Sequence, residues 1–481
     1  MKHPNLLKTL FVMLATVVST ELMAADFEVD GLNYLISDKT NHYATVTTGT
    51  YSGNIVIPDN VTNPNDGITY AVTKIGNKVF ENCTELTSII IGNEVKSIGA
   101  YCFRNCTALT EVVIPDNVTK LEYYKQYSLS NPDSYTFAGC TSLTKATIGS
   151  GMQSMGIAVF YGCTNLKDVT IKEGCSIIGA YCFANCTGIE GIVIPNSVVK
   201  IEGYAFASCS ALKAISLGSG LTSIGNNAFE GCEALTGITF GENVTSVGKS
   251  AFSGCQNLAS VTLNDKLESI GAYCFRNCTA LTEVVIPDNV TTLDYYKEYS
   301  YSNPDSYTFA GCTSLTKATI GSSMQSMGTN VFRGCTSLKD VTIKEGCSII
   351  GAYCFYGCTS LEEITIPSTV TSIGSTAFGN VTTLRDVTVL NMTPPDADTD
   401  VFTNEVYDEA TLHVEDDALE AYKAHATWQK FFHISTTGIE VLKDTPTQDA
   451  HAIYTIEGRK LQGQPTKKGV YIVNGRKAVV K

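Results

Sequence analysis

The sequence is poor in the residues on which most catalytic and metal sites depend. Six histidines occur in 481 residues, and all six lie outside the repeated part of the chain. That part therefore has no imidazole to act as a base or as a zinc ligand. Walker and dinucleotide-binding glycine motifs are absent, and no pair of carboxylates stands out as an acid and a base. We expect no catalytic residue, no metal and no cofactor, hence no enzyme.

Long apolar runs and positive charge are also scarce. After the N-terminal segment, no stretch has 18 consecutive apolar residues, so no stable membrane insertion is expected. Lysine and arginine number 33 against 47 acidic residues, which gives a net charge of −14 and a pI near 4.9. An acidic surface disfavours nucleic acid and anionic membranes as partners.

The chain is rich in one repeated unit, I-G-x-x-x-F-x-x-C-x-x-L-x-x-I-x-I. Its phenylalanines recur every 23 residues, with two intervals of 34, at positions 80, 103, 137, 160, 183, 206, 229, 252, 275, 309, 332, 355 and 378. A fixed period of this length is typical of solenoids. The alternating run Leu109-x-x-Val112-x-Ile114 predicts a short strand with one buried face, so stacked coils should form a parallel sheet. We predict a mainly β solenoid of 13 coils, capped at both ends.

The unit resembles the BspA-like leucine-rich repeat of bacterial surface antigens, over about residues 70–390. This resemblance implies an exported protein that binds host or neighbouring-cell proteins. The leading interpretation is a non-enzymatic adhesin or binding scaffold, at the cell surface or secreted, with an extracellular protein or glycoprotein as ligand and a monomeric state. The alternatives are a structural surface spacer without a specific ligand and an accessory protein in carbohydrate capture.

The segments outside the repeats give the rest of the domain plan. Lys2 and Lys8, an apolar run and Met23-Ala24-Ala25 are typical of a signal peptide, while a periplasmic location stays open. Near the C-terminus, Asp417 and Glu420 resemble a capping box for a short helix, and Trp428 with Phe431-Phe432 should close the core. Asp30-Gly31 and Asn474-Gly475, each between alternating runs, are hairpin turn signals. The last stretch holds two hairpin-like pieces and resembles the sorting segment of type IX secretion substrates; the alternative is an ordinary β-tail. The predicted parts are a signal peptide (1–25), an N-terminal β cap (26–74), the repeats (75–390), a C-terminal cap (391–435), a linker (436–450) and a β-hairpin tail (451–481).

Eighteen cysteines in an exported protein first suggest disulfides. Twelve of them, however, lie three residues after the repeat phenylalanine, and Val381 fills the thirteenth such position. In a ladder of equivalent neighbours the Cβ vectors run parallel, so no pairing is specified. We expect free thiols that act as small buried hydrophobes.

The two 34-residue intervals each carry 11 extra residues, 123–133 and 295–305. Both are rich in tyrosine and end in Asn-Pro-Asp, a turn signal. Insertions in a regular coil should bulge outward, and tyrosine is favoured at protein interfaces. The predicted binding residues are Tyr123, Tyr124, Tyr127, Tyr135, Tyr295, Tyr296, Tyr299, Tyr301 and Tyr307. The alternative is that these tyrosines pack down on the solenoid as a local patch. The outward strand column, such as Thr147, Thr170 and Val193, is either a solvated ladder or a second binding face.

Overall fold

The computed structural model describes residues 25–123, 134–293 and 306–436, together with four strand segments between residues 440 and 480. The chain divides into two compact units, Met1–Leu281 and Thr282–Lys481. We describe each unit by itself. Within the described ranges, no helix combines the length and the apolar character that a bilayer crossing requires.

The N-terminal part of the first unit is a small mixed sheet. Strands β1 and β2 pair antiparallel around Asp30 and Gly31, whose φ angles are 52° and 77°, so the predicted hairpin is confirmed. Strand β3 pairs antiparallel with β2 and parallel with β6, where the solenoid begins. The strands are β1 (Phe27–Val29), β2 (Leu32–Asp38), β3 (Tyr43–Val46), β4 (Gly53–Ile57), β5 (Asn60–Thr62) and β6 (Thr69–Ile75).

Most coils of the first unit contribute a longer and a shorter strand to two sets of parallel strand pairs, while the coil of Lys145–Ile148 has an isolated bridge at Ser154 in place of the shorter strand. The register advances by one coil, so that Thr147 pairs with Val113 on one side and with Thr170 on the other. The predicted parallel solenoid with a 23-residue period is confirmed. The longer strands are β7 (Leu86–Ile91), β9 (Glu111–Ile114), β11 (Lys145–Ile148), β12 (Asp168–Ile171), β14 (Gly191–Val193), β16 (Ala214–Ser216), β18 (Gly237–Thr239) and β20 (Ser260–Thr262). The shorter strands are β8 (Ser97–Ile98), β10 (Lys120–Leu121), β13 (Ile177–Ile178), β15 (Lys200–Ile201), β17 (Ser223–Ile224), β19 (Ser246–Val247) and β21 (Ser269–Ile270).

The second unit repeats this arrangement and adds helices after the last repeat phenylalanine. Its longer strands are β22 (Glu283–Val285), β24 (Lys317–Ile320), β25 (Asp340–Ile343), β27 (Glu363–Ile366), β29 (Asp386–Val389), β31 (Thr411–Val414) and β32 (His433–Thr436). Its shorter strands are β23 (Thr292–Leu293), β26 (Ile349–Ile350), β28 (Ser372–Ile373) and β30 (Asp396–Ala397). The helices are α1 (Asn404–Glu409) and α2 (Leu419–Ala424). A separate tail sheet contains β33 (Glu440–Val441), β34 (Ile453–Thr455), β35 (Gly469–Val473) and β36 (Arg476–Val480).

The tail pairs as its sequence predicts around Asn474-Gly475. Strands β35 and β36 are antiparallel, with Val473 opposite Arg476. Strand β34 pairs antiparallel with β35, and β33 pairs parallel with β36. The two hairpin-like pieces of the sequence therefore contribute to one sheet.

The glycine at the Ile-Gly bend is required because successive coils approach closely there. A Cβ on Gly99 would overlap the backbone of Gly76 and Asn77, and a Cβ on Gly271 would overlap that of Gly248 and Lys249. Neither Gly99 nor Gly271 has a positive φ. Close packing, and not a left-handed backbone, therefore explains the glycines at 99 and 271, whereas Gly328 at the same repeat position has a φ of 66°.

The C-terminal core is closed by aromatic side chains, with two corrections to the sequence prediction. Trp428 and Phe431 are buried, but Phe432 is 78% exposed. Only alternate residues of an extended segment can face the core, and the sequence does not say which of two adjacent phenylalanines does so. Helix α2 does form, and its buried Tyr422 donates to the carbonyl of Asn391 at 3.0 Å. Its N-terminus, however, has no side-chain capping bond, so the predicted capping box is wrong.

The interior is a column of stacked phenylalanines beside a column of thiols. Phe103 and Phe137, for example, lie 4.9 Å apart between ring centroids with planes at 2°. The cysteine Sγ of one coil donates to the phenylalanine carbonyl of the coil before it, as from Cys209 to Phe183 at 3.1 Å and from Cys255 to Phe229 at 3.2 Å. All 18 cysteines are free, and all but the half-buried Cys83 are buried. The predicted free thiols are thus hydrogen-bond donors as well as apolar groups.

Burial raises the pKa of the Cys209 and Cys255 thiols to about 12, from an ordinary value of 9.0. Below about pH 9 these thiols are protonated in both the folded and the unfolded protein, so the free energy of unfolding has its full value there. Between about pH 9 and 12 only the unfolded state ionises, so each such thiol should cost up to about 1.4 kcal/mol of stability per pH unit. We expect the free energy of unfolding, measured with denaturant under reducing conditions, to fall steeply from about pH 9 upward.

The matched control is Cys209→Val, because valine already fills this column at Val381. The variant loses one thiol hydrogen bond, and its stability should depend less steeply on alkaline pH than that of the parent.

A count of reactive thiols in denaturant without reductant should approach 18. Fewer than about six would show that the ladder is oxidised and would contradict the parallel-Cβ argument.

Candidate binding edge

The edge of each coil around its phenylalanine forms a third ladder of hydrogen bonds between coils. The N–H groups of Tyr181, Phe183 and Asn185 donate to carbonyls of the next coil at 3.1, 2.7 and 2.8 Å. Three alternate N–H groups can face the same neighbour because the residues two before and two after the phenylalanine are left-handed, with φ of 56° at Tyr181 and 60° at Asn185. This geometry recurs along both units.

The two left-handed positions are filled differently. The position after the phenylalanine holds glycine, asparagine or serine, which tolerate a positive φ. The position before it holds tyrosine in seven coils, although a left-handed backbone costs a bulky residue roughly 1–2 kcal/mol. The residues at this position are Lys78, Tyr101, Tyr135, Ala158, Tyr181, Tyr204, Asn227, Ser250, Tyr273, Tyr307, Asn330, Tyr353 and Thr376. The turn itself therefore does not require tyrosine.

The tyrosines of the first unit pack against one another along the edge. Tyr101 and Tyr135 stack at 5.7 Å between centroids, and Tyr181 and Tyr204 stack at 4.7 Å. Tyr161, three residues after a left-handed alanine, meets Tyr135 edge to face at 6.2 Å. We use the name tyrosine edge for this surface in each unit taken by itself: Tyr101, Tyr135, Tyr161, Tyr181, Tyr204 and Tyr273 in the first unit, and Tyr307, Tyr353 and Tyr356 in the second.

The edge is partly exposed and carries cations. Tyr161 and Tyr181 are each 38% exposed, and Tyr353 is 37% exposed. In the second unit, the Arg333 guanidinium lies 5.7 Å from the ring centroid of Tyr353 and 4.9 Å from that of Tyr356. Tyrosine and arginine are the residues enriched at the energetic centres of protein interfaces.

Three of the nine predicted binding residues lie in the described part of the chain. Tyr123 is 44% exposed at the start of the first insertion. Tyr135 and Tyr307 belong to the tyrosine edge, because each follows its insertion and takes the left-handed position of its coil. The other six, Tyr124, Tyr127, Tyr295, Tyr296, Tyr299 and Tyr301, lie outside the described residues.

Sequence reasoning missed the regular members of the edge. Tyr101, Tyr181, Tyr204, Tyr273 and Tyr353 are not clustered in the chain, so a search for tyrosine-rich segments passes over them. Their recurrence two residues before the repeat phenylalanine was the available signal. Ser134 and Ser306, the residues that follow the two insertions in the sequence, directly precede left-handed tyrosines of this edge.

The outer face of the longer strands is a second exposed surface. Val193 is 67% exposed and Val285 is 51% exposed, within columns otherwise rich in threonine. At the N-terminal end, Val56 and Ile90 pair across β4 and β7 and are 57% and 61% exposed. Threonine and valine suit an exposed strand by β-propensity alone, so this face points less specifically to a ligand.

A row of three hydrogen-bonded polar side chains on the second unit was not predicted from the sequence. His413 Nε2 lies 2.8 Å from Asp386 Oδ1, and His413 Nδ1 lies 2.7 Å from Ser435 Oγ. The three residues are on the neighbouring strands β29, β31 and β32. A nucleophilic serine would also need donors aimed at an oxyanion, whereas backbone N–H groups lie in the plane of a sheet and not toward its outer face. We interpret these hydrogen bonds as cross-strand contacts that stabilise the sheet.

In residues 25–123, 134–293 and 306–436, no group of three or more histidine, cysteine or acidic side chains is placed to hold a metal ion.

A family profile described as the BspA type leucine rich repeat region, with six copies, matches residues 73–213, 128–255, 176–304 and 298–406. No curated protein matches the sequence. Among solved structures, a leucine-rich repeat protein from Bacteroides ovatus is 23% identical, with a TM-score of 0.56, over 85% of this chain and 99% of its own. At this identity the likeness concerns the fold alone.

Two further solved structures are more distant. A leucine-rich cell surface protein from Faecalibacterium prausnitzii is 23% identical over 86% of this chain and 94% of its own, with a TM-score of 0.44. The pneumococcal vaccine antigen PcpA is 15% identical over 85% of this chain and 96% of its own, with a TM-score of 0.40.

Proposed function

This chain belongs to the BspA-type leucine-rich repeat family, and we propose that it is a non-enzymatic scaffold that binds an extracellular protein or glycoprotein through its tyrosine edge. The family consists of repeat proteins that act as scaffolds for protein binding. Exposure at the cell surface, or secretion, follows from the same proposal. The ligand is expected on a host cell or a neighbouring cell.

The observation that carries the proposal is tyrosine in a left-handed backbone. Coils with Asn227 or Asn330 at the same position make the same kind of turn with a residue that tolerates it better. Strained positions of this kind concentrate at functional sites. Tyrosine supplies a large amphipathic contact area at low entropic cost, which suits a protein interface.

The alternatives explain this edge less well. A spacer needs the core columns but gains nothing from strained, partly exposed aromatic residues. Carbohydrate capture usually places a sugar against an open aromatic face, whereas the faces of Tyr181 and Tyr204 are turned to each other, with ring planes at 4°. A protein ligand can use the ring edges and hydroxyl groups that remain accessible.

The first test replaces Tyr181 and Tyr204 by asparagine, which the chain itself uses in this column. Relief of part of the backbone strain, which is roughly 1–2 kcal/mol per residue, should offset part of the lost ring stacking, worth about 0.5–1.5 kcal/mol. The free energy of unfolding should therefore change by less than about 2 kcal/mol. Binding to a panel of immobilised host matrix proteins and mucin should fall at least about tenfold, because two interface anchors are lost.

The matched control is Val193→Thr on the outer strand face, where threonine is the common residue. It should leave both stability and binding unchanged. Loss of binding in this variant, together with full binding by the tyrosine variant, would place the site on the sheet and contradict the proposal.

A second test concerns the insertions, which we propose as extensions of the same surface. Deleting residues 123–133 and 295–305 restores the 23-residue spacing, and Ser134 and Ser306 then follow the bend directly. We expect the thermal unfolding temperature to be retained and binding to weaken. Undiminished binding by a folded double deletion would mean that the insertions do not take part.

The tail is proposed to direct the protein to the cell surface. Truncation should begin at residue 437, because Thr436 pairs with Val414 in β31 and its loss would damage the solenoid. The truncated protein should fold but be retained, most simply in the periplasm, as protease accessibility on intact cells would show. Unchanged surface exposure would leave the ordinary β-tail as the explanation.

A further inference from the structure

An internal duplication allows one stretch of the solenoid to be compared with another. Residues 97–183 recur almost unchanged as residues 269–355, at an offset of 172 positions. The positions of the first copy that differ in the second are 120, 122, 126, 129, 151, 157, 158, 161 and 165. Three of these nine lie within five residues, at one turn of the tyrosine edge. We call this turn the divergent turn: residues 157–161 in the first unit and 329–333 in the second.

The exposed strand face has not changed in the same way. The longer strands at 111–114, 145–148 and 168–171 are identical to those at 283–286, 317–320 and 340–343, including their outward residues. Substitutions tolerated anywhere on the surface would be expected on this face too. Their concentration at the divergent turn indicates that the side chains of this turn matter individually.

In the first unit, the divergent turn presents a tyrosine. Ala158 takes the left-handed position with φ of 55°, and Tyr161 follows three residues later. Tyr161 is 38% exposed, and its ring meets that of Tyr135 edge to face at 6.2 Å. The turn therefore offers a partner an aromatic ring within a group of aromatic rings.

In the second unit, the same turn presents an arginine that three residues hold in place. Arg333 Nη1 donates to Asn330 Oδ1 at 3.1 Å. The guanidinium lies 5.7 Å from the ring centroid of Tyr353 and 4.9 Å from that of Tyr356. The first copy has alanine at the positions that correspond to Asn330 and Tyr356. The arginine and two of its three supports have thus changed together.

This set of changes fixes the position of the guanidinium. Ordering a flexible arginine when a partner binds costs conformational entropy, and a side chain that is already held loses less. The planar group has five N–H donors, so the bond to Asn330 leaves donors for a partner. The amide and the two rings that hold it are neutral and therefore do not cancel its charge. Arg333 is half-buried, which leaves part of the side chain accessible.

We propose that the divergent turn determines the specificity of each tyrosine edge. Arg333 selects a side-chain oxygen acceptor of the partner protein, a carboxylate or an amide, whereas Tyr161 selects an apolar or aromatic side chain. Asn330, Tyr353 and Tyr356 are positioning residues for the arginine. This inference rests on the proposed function for the role of the edge as a protein-binding surface. The two units then recognise different groups rather than the same group twice.

The test exchanges the divergent turn between the two units of the full-length protein. One triple variant gives the first unit the arrangement of the second, and the other triple variant does the reverse. The substitutions are Ala158→Asn, Tyr161→Arg and Ala184→Tyr in the first variant, and Asn330→Ala, Arg333→Tyr and Tyr356→Ala in the second. Both arrangements already occur in the chain, so both variants should fold, as thermal unfolding would show.

The probe is a random-peptide phage library, selected on each immobilised protein and followed by titration of synthetic peptides. The parent should enrich two peptide families, one with aromatic or apolar residues and one with aspartate, glutamate, asparagine or glutamine. The first triple variant should lose the aromatic family and bind twice as many acceptor-family peptides per chain. The second should do the opposite. Selection of the same peptides by all three proteins would overturn the proposal.

Single substitutions test how the arginine is held. Arg333→Lys should weaken binding of an acceptor-family peptide about tenfold, because an ammonium group keeps the charge but lacks the planar fork. Asn330→Ala should weaken it severalfold. Full affinity in both variants would contradict the role of the supporting residues. The matched control is Asn165→Ser, which exchanges a difference between the copies that lies outside the divergent turn and should leave both peptide families unchanged.

The outcomes separate this inference from the proposed function. If the tyrosine variant at 181 and 204 loses its binding to matrix proteins while the exchange leaves peptide selection unchanged, the function stands and the specificity role fails. If the exchange redirects peptide selection while the tyrosine variant keeps its binding to matrix proteins, the turn is a specificity site and the proposed function fails.

Discussion

Backbone hydrogen bonding between successive coils is the constraint on which the rest of the structure depends. Each regular coil offers its neighbour a longer strand, a shorter strand and the edge around its phenylalanine, as in β9, β8 and the segment from Tyr101 to Asn105. A buried backbone group that lacks a partner is costly, so a single coil cannot satisfy itself and folds only within a stack. Every side-chain column follows from this register.

The constraint also explains why the interior columns admit so few residues. At the bend, the backbones of Gly76 and Gly99 approach too closely for a side chain. In the thiol column, Cys106 both fills space and donates to the carbonyl of Phe80 at 3.0 Å. Val381 shows that the space can be filled without the donor, so the thiol hydrogen bond is an addition to packing and not a condition for the fold.

Those columns are the part of the molecule that the sequence predicts well, because packing forces the same residue type at a fixed spacing. The period gave the solenoid and the longer strands, and Asp30-Gly31 gave the hairpin. The shorter strands, such as β8 (Ser97–Ile98), have two residues and show no alternation that a period of two could reveal. The tie between Asp386, His413 and Ser435 joins residues far apart in the chain, and only the stacking register brings them together.

The tyrosine edge escaped prediction for a different physical reason. Its turn dictates a backbone conformation but not a side chain, since Lys78, Ala158 and Thr376 adopt the same left-handed φ as the tyrosines. Hydrophobic periodicity cannot detect such a column, because the backbone conformation is fixed while the residue type is not. Since the fold also accepts asparagine there, as at Asn227 and Asn330, the tyrosines are candidates for a role in binding. Positions whose side chains are not fixed by packing are thus the best candidates for a binding surface.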